Sequence, residues 1–426
     1  MGVGSRRGRK GDAAKASAGD PAAFAVRRMA LFYLVFYAGG GMYFPYLVLY
    51  LTQHGASPAA VGVISALGPA VGLIAQPLWG NLADRRQMPM GLLRRLLVVS
   101  AVFLALVPLL PVPLGAAVGL VAYAVFSSPV VALADSSTLR FLAEGTSSLG
   151  PNAYPRVRAY GSLSFALTAI ASSVVFADRG LGRAFVAMAI ALVAAGLFVL
   201  PRREPGATSL RGVAAGREGR VGTVVALRRL VLLPSYAVVV VSAFLLQVAN
   251  AAHSTFFPVY LLAVHMPGAF VGTPWAAAAL VEVPMFALMP TIARRVGTER
   301  LVLASLVLYA LRFFLFSLIH IAWPVLLVQL MQGVTFTFFT GGMVILIGAM
   351  LPVGLKAVGQ TVFMAVGFSL AAIVGNVGGA VAVADLGVFG MYRLAALVSL
   401  GSAVVFAIGF RSWRGPVVTA ELSAQG

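Results

Sequence analysis

Apolar residues run through this chain in long blocks, separated by short clusters rich in Gly, Pro, Arg and Ser. Each block reaches about 18 residues or more, the length a helix needs to cross a bilayer. The blocks predict twelve helices. The first six are α1 over residues 29–51, α2 over 61–83, α3 over 92–110, α4 over 114–139, α5 over 158–177 and α6 over 183–200. After a basic, Gly-rich stretch come α7 over 230–264, α8 over 271–292, α9 over 301–321, α10 over 324–351, α11 over 357–384 and α12 over 389–410. The α7 block is longer than one crossing requires, which puts its first residues at the interface. The pattern therefore predicts an all-α membrane protein. Residues 1–28 form a basic, disordered tail, 29–200 a six-helix half, 201–229 a linker, 230–411 a second half and 412–426 a closing tail.

The halves resemble each other. Phe44-Pro45-Tyr46-Leu47 at the end of α1 aligns with Phe257-Pro258-Val259-Tyr260 at the end of α7. At the same spacing Gln76-Pro77 falls on Met289-Pro290, and each is followed by a basic turn, Arg85-Arg86 or Arg294-Arg295. Two six-helix halves joined by a linker are what a parallel-repeat transporter needs, with a solute held at the midplane between them.

Composition and charge sharpen this picture. Sixty per cent of residues are apolar and ten per cent charged, and the mean hydropathy is +0.97, which excludes an ordinary soluble domain. There is no cysteine, so disulfides, thiolate metal sites and cysteine nucleophiles are excluded. A net charge of +19 raises the question of nucleic acid, but its placement answers as a membrane protein. Of the 31 Lys and Arg residues, 27 fall in the tails and on one set of loops; the other set holds Arg179, Arg183 and Arg393. That asymmetry puts both termini in the cytoplasm of a multi-pass protein of the inner membrane, with no role for nucleic acid. The basic start is followed by a long span without a cleavage pattern, so it is not a signal peptide.

The remaining basic residue, Arg312, falls in the middle of α9, and Glu282 in the middle of α8. A full charge at that depth costs about 2.5–3.5 kcal/mol on insertion scales, and such residues usually pair and face a cavity. A Glu282/Arg312 pair, or a pair with another partner such as the Gln face of α10, is expected, either lining a path or bracing two helices.

Gly80-Asn81-Leu82-Ala83-Asp84-Arg85-Arg86 resembles the α2–α3 loop signature of the major facilitator superfamily, and the resemblance covers nearly the whole chain. It implies twelve helices, alternating access and a cytoplasmic gate at Gly80, Asp84, Arg85 and Arg86. The corresponding turn of the second half keeps Arg294 and Arg295 but lacks the acid, which implies a lopsided gate. Within the superfamily the chain is most similar to the proton-symporter branch of phenylpropionate permease, nucleoside symporters and lactose permease. Tyr154-Pro-Arg156-Val-Arg158-Ala-Tyr160-Gly161 opens α5 as in that branch, and Asn250-Ala-Ala-His253-Ser-Thr-Phe-Phe-Pro258 resembles its α7. Glu282 falls on the branch's α8 carboxylate, Arg312 on the α9 arginine, Arg158 on the α5 arginine that binds galactoside, and Asp135 near its α4 partner. Where lactose permease carries Lys, His and Glu on α10, this chain reads Gln329, Gln332 and Thr335. Proton coupling, if present, then rests on Glu282 or Asp135; the alternative is transport that is uncoupled or coupled differently.

Burial favours the protonated form of a carboxyl group and a nearby guanidinium favours the ionised one, so Glu282 with Arg312 forms a candidate coupling pair, against a static brace. Arg158 is either a snorkelling interfacial residue or a ligand for carboxylates and hydroxyls; Asp135 partners Arg158 or Arg140. Asn250, His253, Gln329 and Gln332 are either interhelical hydrogen-bonding groups or substrate contacts, as is Tyr37 at cavity depth. No ATP-binding loop, zinc motif or nucleophile elbow is present, so the expectation is a transporter and not an enzyme. It is expected to need no cofactor or metal, to draw on a proton gradient and to work as a monomer in lipid. Uptake of a small organic solute with protons is the leading expectation; efflux of drugs or sugars is the alternative.

Overall fold

The computed structural model describes residues 21–144, 153–176, 180–205, 229–230 and 232–410. Residues 1–20 and 411–426, most of the linker and Arg179 lie outside them; of the expected disordered tail, residues 21–28 are instead helical and open α1. Every regular element among the described residues is helical; eleven helical runs are long and apolar enough to cross a membrane, the last long enough for two crossings, and they follow the predicted order.

Proline and glycine set the boundaries. α1 runs Pro21–Tyr43, breaks at Phe44-Pro45-Tyr46 and resumes as Leu47–Gln53, because Pro45 lacks an N–H and disfavours helical backbone just before it. α2 is Pro58–Arg86, opened by the Ser57 side chain accepting from the Ala60 N–H and closed by Gln87 at φ +52°. α3 is Pro89–Leu106; α4 is Leu114–Ser127 and Val130–Ala143, divided at Pro129. α5 is Tyr154–Phe176, and α6 is Gly182–Ala194 followed by a wider turn, Ala195–Val199.

In the second half α7 is Pro234–Ala263, α8 Thr273–Val296, α9 Thr298–Leu318 and α10 Ala322–Met350. α7 starts four residues later than the apolar block suggests, at a proline in the first helical position. α11 begins as Val353–Met364, widens over Ala365–Leu370 and continues into Ala371–Phe410. That last run is two helices: Gly387, at φ +71° and ψ 173°, turns α11 into α12. An even number of crossings leaves both ends of the described chain on one face.

Within the halves, α1 packs along α5 and α7 along the α11–α12 run, while α8 lies against α10. The halves meet through α2 against α11 and α5 against α8. Small residues make both meetings possible. Gly62 leaves no room for a Cβ beside Asn376 and Ala380, and Gly272 none beside the Ala169 carbonyl. The Gly272 N–H donates to Ser173 Oγ at 2.6 Å. Gly62 and Gly272 both sit at helix starts on the face away from the termini, so the halves are closed against each other there.

Candidate functional site

Below that closure lies a cavity of about 310 Å³ at the boundary of the halves. The first half supplies Tyr37 from α1 and Arg158 from α5; the second supplies His253, Glu282, Gln329 and Gln332 from α7, α8 and α10. Six sequence-singled residues from five helices thus share one space.

Arg158 is one turn inside α5. Its guanidinium carbon lies 4.1 Å from the Tyr37 ring centre and 5.5 Å from that of Tyr33, and it donates to the Tyr37 hydroxyl. This is a cation–π stack with an added hydrogen bond. Gly161 makes it possible: a Cβ there would sit 2.7 Å from the Tyr37 ring and 2.9 Å from the guanidinium.

Asp135 departs from expectation. Its carboxylate accepts from the Tyr33 hydroxyl at 2.7 Å, and that hydroxyl also lies 3.1 Å from Thr138 Oγ1. Neither expected arginine pairs with it: Arg140 reaches Asp84 at 3.4 Å, and Arg158 is committed to Tyr37. The phenol of Tyr33 stands between the Asp135 carboxylate and the Arg158 stack because α1 packs between α4 and α5.

The expected Glu282/Arg312 pair is absent in this conformation. Among the described residues the ion pairs are Arg140–Asp84 and Arg203–Glu144. Glu282 faces the cavity, whose lining also includes Arg158. Arg312 points elsewhere. It is fully buried, its three side-chain nitrogens have no hydrogen-bond partner, and the ring centres of Tyr309, Phe313 and Phe316 lie 5.0, 4.9 and 5.8 Å from its guanidinium carbon. His253 separates the two environments. It lines the cavity, stacks on Phe316 at 5.6 Å and places Nδ1 2.8 Å from the Tyr392 hydroxyl.

A guanidinium held only by ring faces does not repay its desolvation as a hydrogen-bonded ion pair would. Arg312→Met, which keeps the length and removes the charge, is therefore expected to leave Tm unchanged or raise it. Breaking a true buried pair would instead cost about 3–5 kcal/mol. Thermal unfolding in detergent distinguishes the two, and a large loss of Tm would show that Arg312 has a partner carboxylate.

The amide oxygens of Gln329 and Gln332 are buried without partners at the cavity wall, which leaves them free to accept from a solute's donors. Asn250 is set back: its side-chain oxygen is also unpartnered, while its backbone carbonyl accepts from Ser254 at 2.8 Å, and it is Ser254 that reaches the wall. Trp275, Phe165, Phe257 and Ser162 line the cavity too and were not singled out from sequence. Helical spacing from known members would have found several. Ser162 and Phe165 lie four and seven residues beyond Arg158, and Trp275 seven before Glu282.

At the termini face, Gly80 and Asp84 border a smaller cleft of about 240 Å³ that Arg140 closes from α4. Asp84 pairs with Arg140 inside its own half, while Arg85 and Arg86 are exposed. In the second half Arg294 donates to Thr291 Oγ1 at 3.2 Å, within its own helix.

With this geometry established, comparison with known proteins is informative. The sequence profile of the MFS_1 like family matches residues 26–394. A maltose permease of Geobacillus stearothermophilus is 30% identical over 314 residues, 71% of this chain and 73% of that one. A probable 3-phenylpropionic acid transporter of Escherichia coli (strain K12) is 25% identical over 319 residues, 73% of this chain and 79% of that one. Among solved structures, the nucleoside transporter NupG superposes with a TM-score of 0.72 at 16% identity, over 92% of this chain and 100% of that one.

Proposed function

The chain belongs to the MFS_1 like family of major facilitator transporters, and we propose that it takes up a neutral, hydroxyl-rich organic solute, a sugar or a nucleoside, together with a proton. The observation that carries this reading is one cavity shared by Arg158 of the first half and Glu282 of the second. A single cation and a single carboxylate balance, so a neutral solute enters without adding surplus charge to a low-dielectric space. The guanidinium fork and the free amide oxygens of Gln329 and Gln332 suit hydroxyls. The faces of Trp275, Phe257 and Phe165 suit the apolar side of a sugar or base. The maltose permease, at 30% identity, points to the same solute class.

The charge asymmetry of the loops supports a cytoplasmic termini face in an inner membrane; in this reading the closed face is the outer one and the conformation faces inward. Uptake then requires the contacts at Gly62 and Gly272 to part while the Gly80–Arg86 corner closes. A site built from both halves is remade at each such rocking step. Glu282 carries the proton in this account, and Arg158 is the cation that its carboxylate meets. Arg312 makes no direct pair with Glu282 in this state. The proton gradient is the energy source, a monomer is the working unit, and no cofactor takes part.

An aromatic monocarboxylate is the second reading, favoured by the Arg158–Tyr37 stack, which would receive a carboxylate beside a ring. Uptake by proteoliposomes of maltose, uridine and 3-phenylpropionate separates the two. Arg158→Lys keeps the charge but loses the fork and the ring stack, and is expected to raise KM for the transported solute about ten- to hundredfold. An unchanged KM would remove Arg158 from the site.

A further inference from the structure

On the membrane-facing side of the first half, away from the solute cavity, two adjoining hollows share Trp79 and Leu82. One, of about 330 Å³, lies between the cytoplasmic ends of α2 and α3 and has Arg86 and Arg95 at its edge. The other, of about 570 Å³, continues along α2 against α4, past Leu78, Ile74 and Val71. Ile74 and Leu78 are 69% and 65% exposed, so this wall is apolar and uncovered by protein.

The floor is built and rigid. The Trp79 indole N–H donates to the Val125 carbonyl at 2.9 Å. Its ring centre lies 5.8 Å from that of Phe126, which stacks on Phe103 at 5.6 Å.

The two arginines are uncommitted. Among the described residues no carboxylate lies within ion-pair distance of Arg86 or Arg95. The neighbouring groups are otherwise engaged: Arg94 donates to the carbonyls of Gly196 and Pro201, and both oxygens of Glu204 accept from the Met90 and Gly91 N–H groups. Arg86 ends α2 and Arg95 sits two turns into α3, so both lie where phosphates of the inner leaflet lie. From Leu82 to Val71 the groove runs eleven residues of helix, about 16 Å, which matches one leaflet of a hydrocarbon core about 30 Å thick.

We propose that this groove holds one anionic phospholipid, its phosphate between Arg86 and Arg95 and an acyl chain along Leu82, Leu78 and Ile74. Basic pockets at the cytoplasmic ends of membrane helices recognise such headgroups by charge, and an apolar groove of leaflet length supplies the second half of the match. The site also touches the gate: Arg86 closes the Gly80–Arg86 motif, so the bound lipid rests on the corner that moves.

The test is native mass spectrometry of the full chain in mild detergent, supplied with phosphatidylglycerol or phosphatidylcholine of identical chains. One phosphatidylglycerol is expected to remain bound, favoured about thirtyfold over phosphatidylcholine, the ratio two interfacial arginines supply. Arg86→Gln with Arg95→Gln is expected to remove that preference. Leu78→Trp, which fills the chain groove and leaves both charges, is expected to remove retention, so the result does not depend on the double variant folding. Arg183→Gln, on the opposite face, retains the lipid. Equal retention of the two lipids, retention by the double variant at the wild-type level, or binding of glycerol 3-phosphate alone would overturn the proposal.

Discussion

Glu282→Gln abolishes accumulation driven by a proton gradient and leaves solute exchange intact. Glutamine keeps the size and hydrogen-bonding capacity of a protonated glutamate but holds no exchangeable proton. For one proton per solute, a gradient of one pH unit sustains an about tenfold accumulation, and the variant is expected to stop at equal concentrations on the two sides. Exchange persists because neither Arg158 nor the amide wall is touched. Loss of binding along with accumulation would make Glu282 a substrate ligand only, and unchanged accumulation would take coupling away from it. Radiolabelled uptake and counterflow in the same proteoliposomes give both answers.

Gly272→Val opens the closed face. A Cβ at Gly272 has no space beside the Ala169 carbonyl, and valine adds two methyl groups to that overlap. Overpacking of a tight contact costs about 1–3 kcal/mol, and here the protein escapes that cost by parting the halves. The outward-open population is expected to rise about ten- to hundredfold. The chain contains no cysteine, so one introduced at Ala279, on the cavity wall, reports access through a membrane-impermeant maleimide added from the outer side. Faster labelling in the Gly272→Val background is the expected result. Labelling at the parent rate would mean that the contact at Ser173 and Gly272 is not the outer gate.

These expectations rest on features of unequal legibility in the sequence. Span number and order follow from hydropathy alone, because lipid demands long apolar runs that a linear pattern displays directly. The α11–α12 boundary, read between residues 384 and 389, falls where it is observed: the turn is made by one residue of unusual backbone, Gly387. Depth in the membrane is also readable, and it selects Glu282 and Arg312 as costly charges. What the pattern does not display is how each helix is turned about its axis. Glu282 and Arg312 share a depth, yet α8 turns one into the cavity and α9 turns the other among Tyr309, Phe313 and Phe316. Those rings lie three before, one after and four after Arg312, so the aromatic nest was present in the sequence as a spacing. Asp135 shows the same limit. It sits near Arg158 in depth, but the Tyr33 hydroxyl of α1 takes the position that an arginine was expected to fill.

The repeat between the halves was legible as sequence, and the cavity it implies is lined by both. Tyr37 was singled out, whereas Phe165, Phe257 and Trp275 were missed because Trp and Phe are ordinary in a bilayer-facing helix. Only their spacing from Arg158 and Glu282 distinguishes Phe165 and Trp275 from lipid-facing rings.

The central claim is that solute and proton cross together through the space between Arg158 and Glu282. It is tested most directly by following external pH and labelled solute simultaneously in lightly buffered proteoliposomes with no imposed gradient. Addition of the transported solute is expected to make the external medium more alkaline with the wild-type protein, one proton for each solute taken up, and to leave it unchanged with Glu282→Gln. Solute uptake by the wild-type protein without any movement of protons would contradict the account.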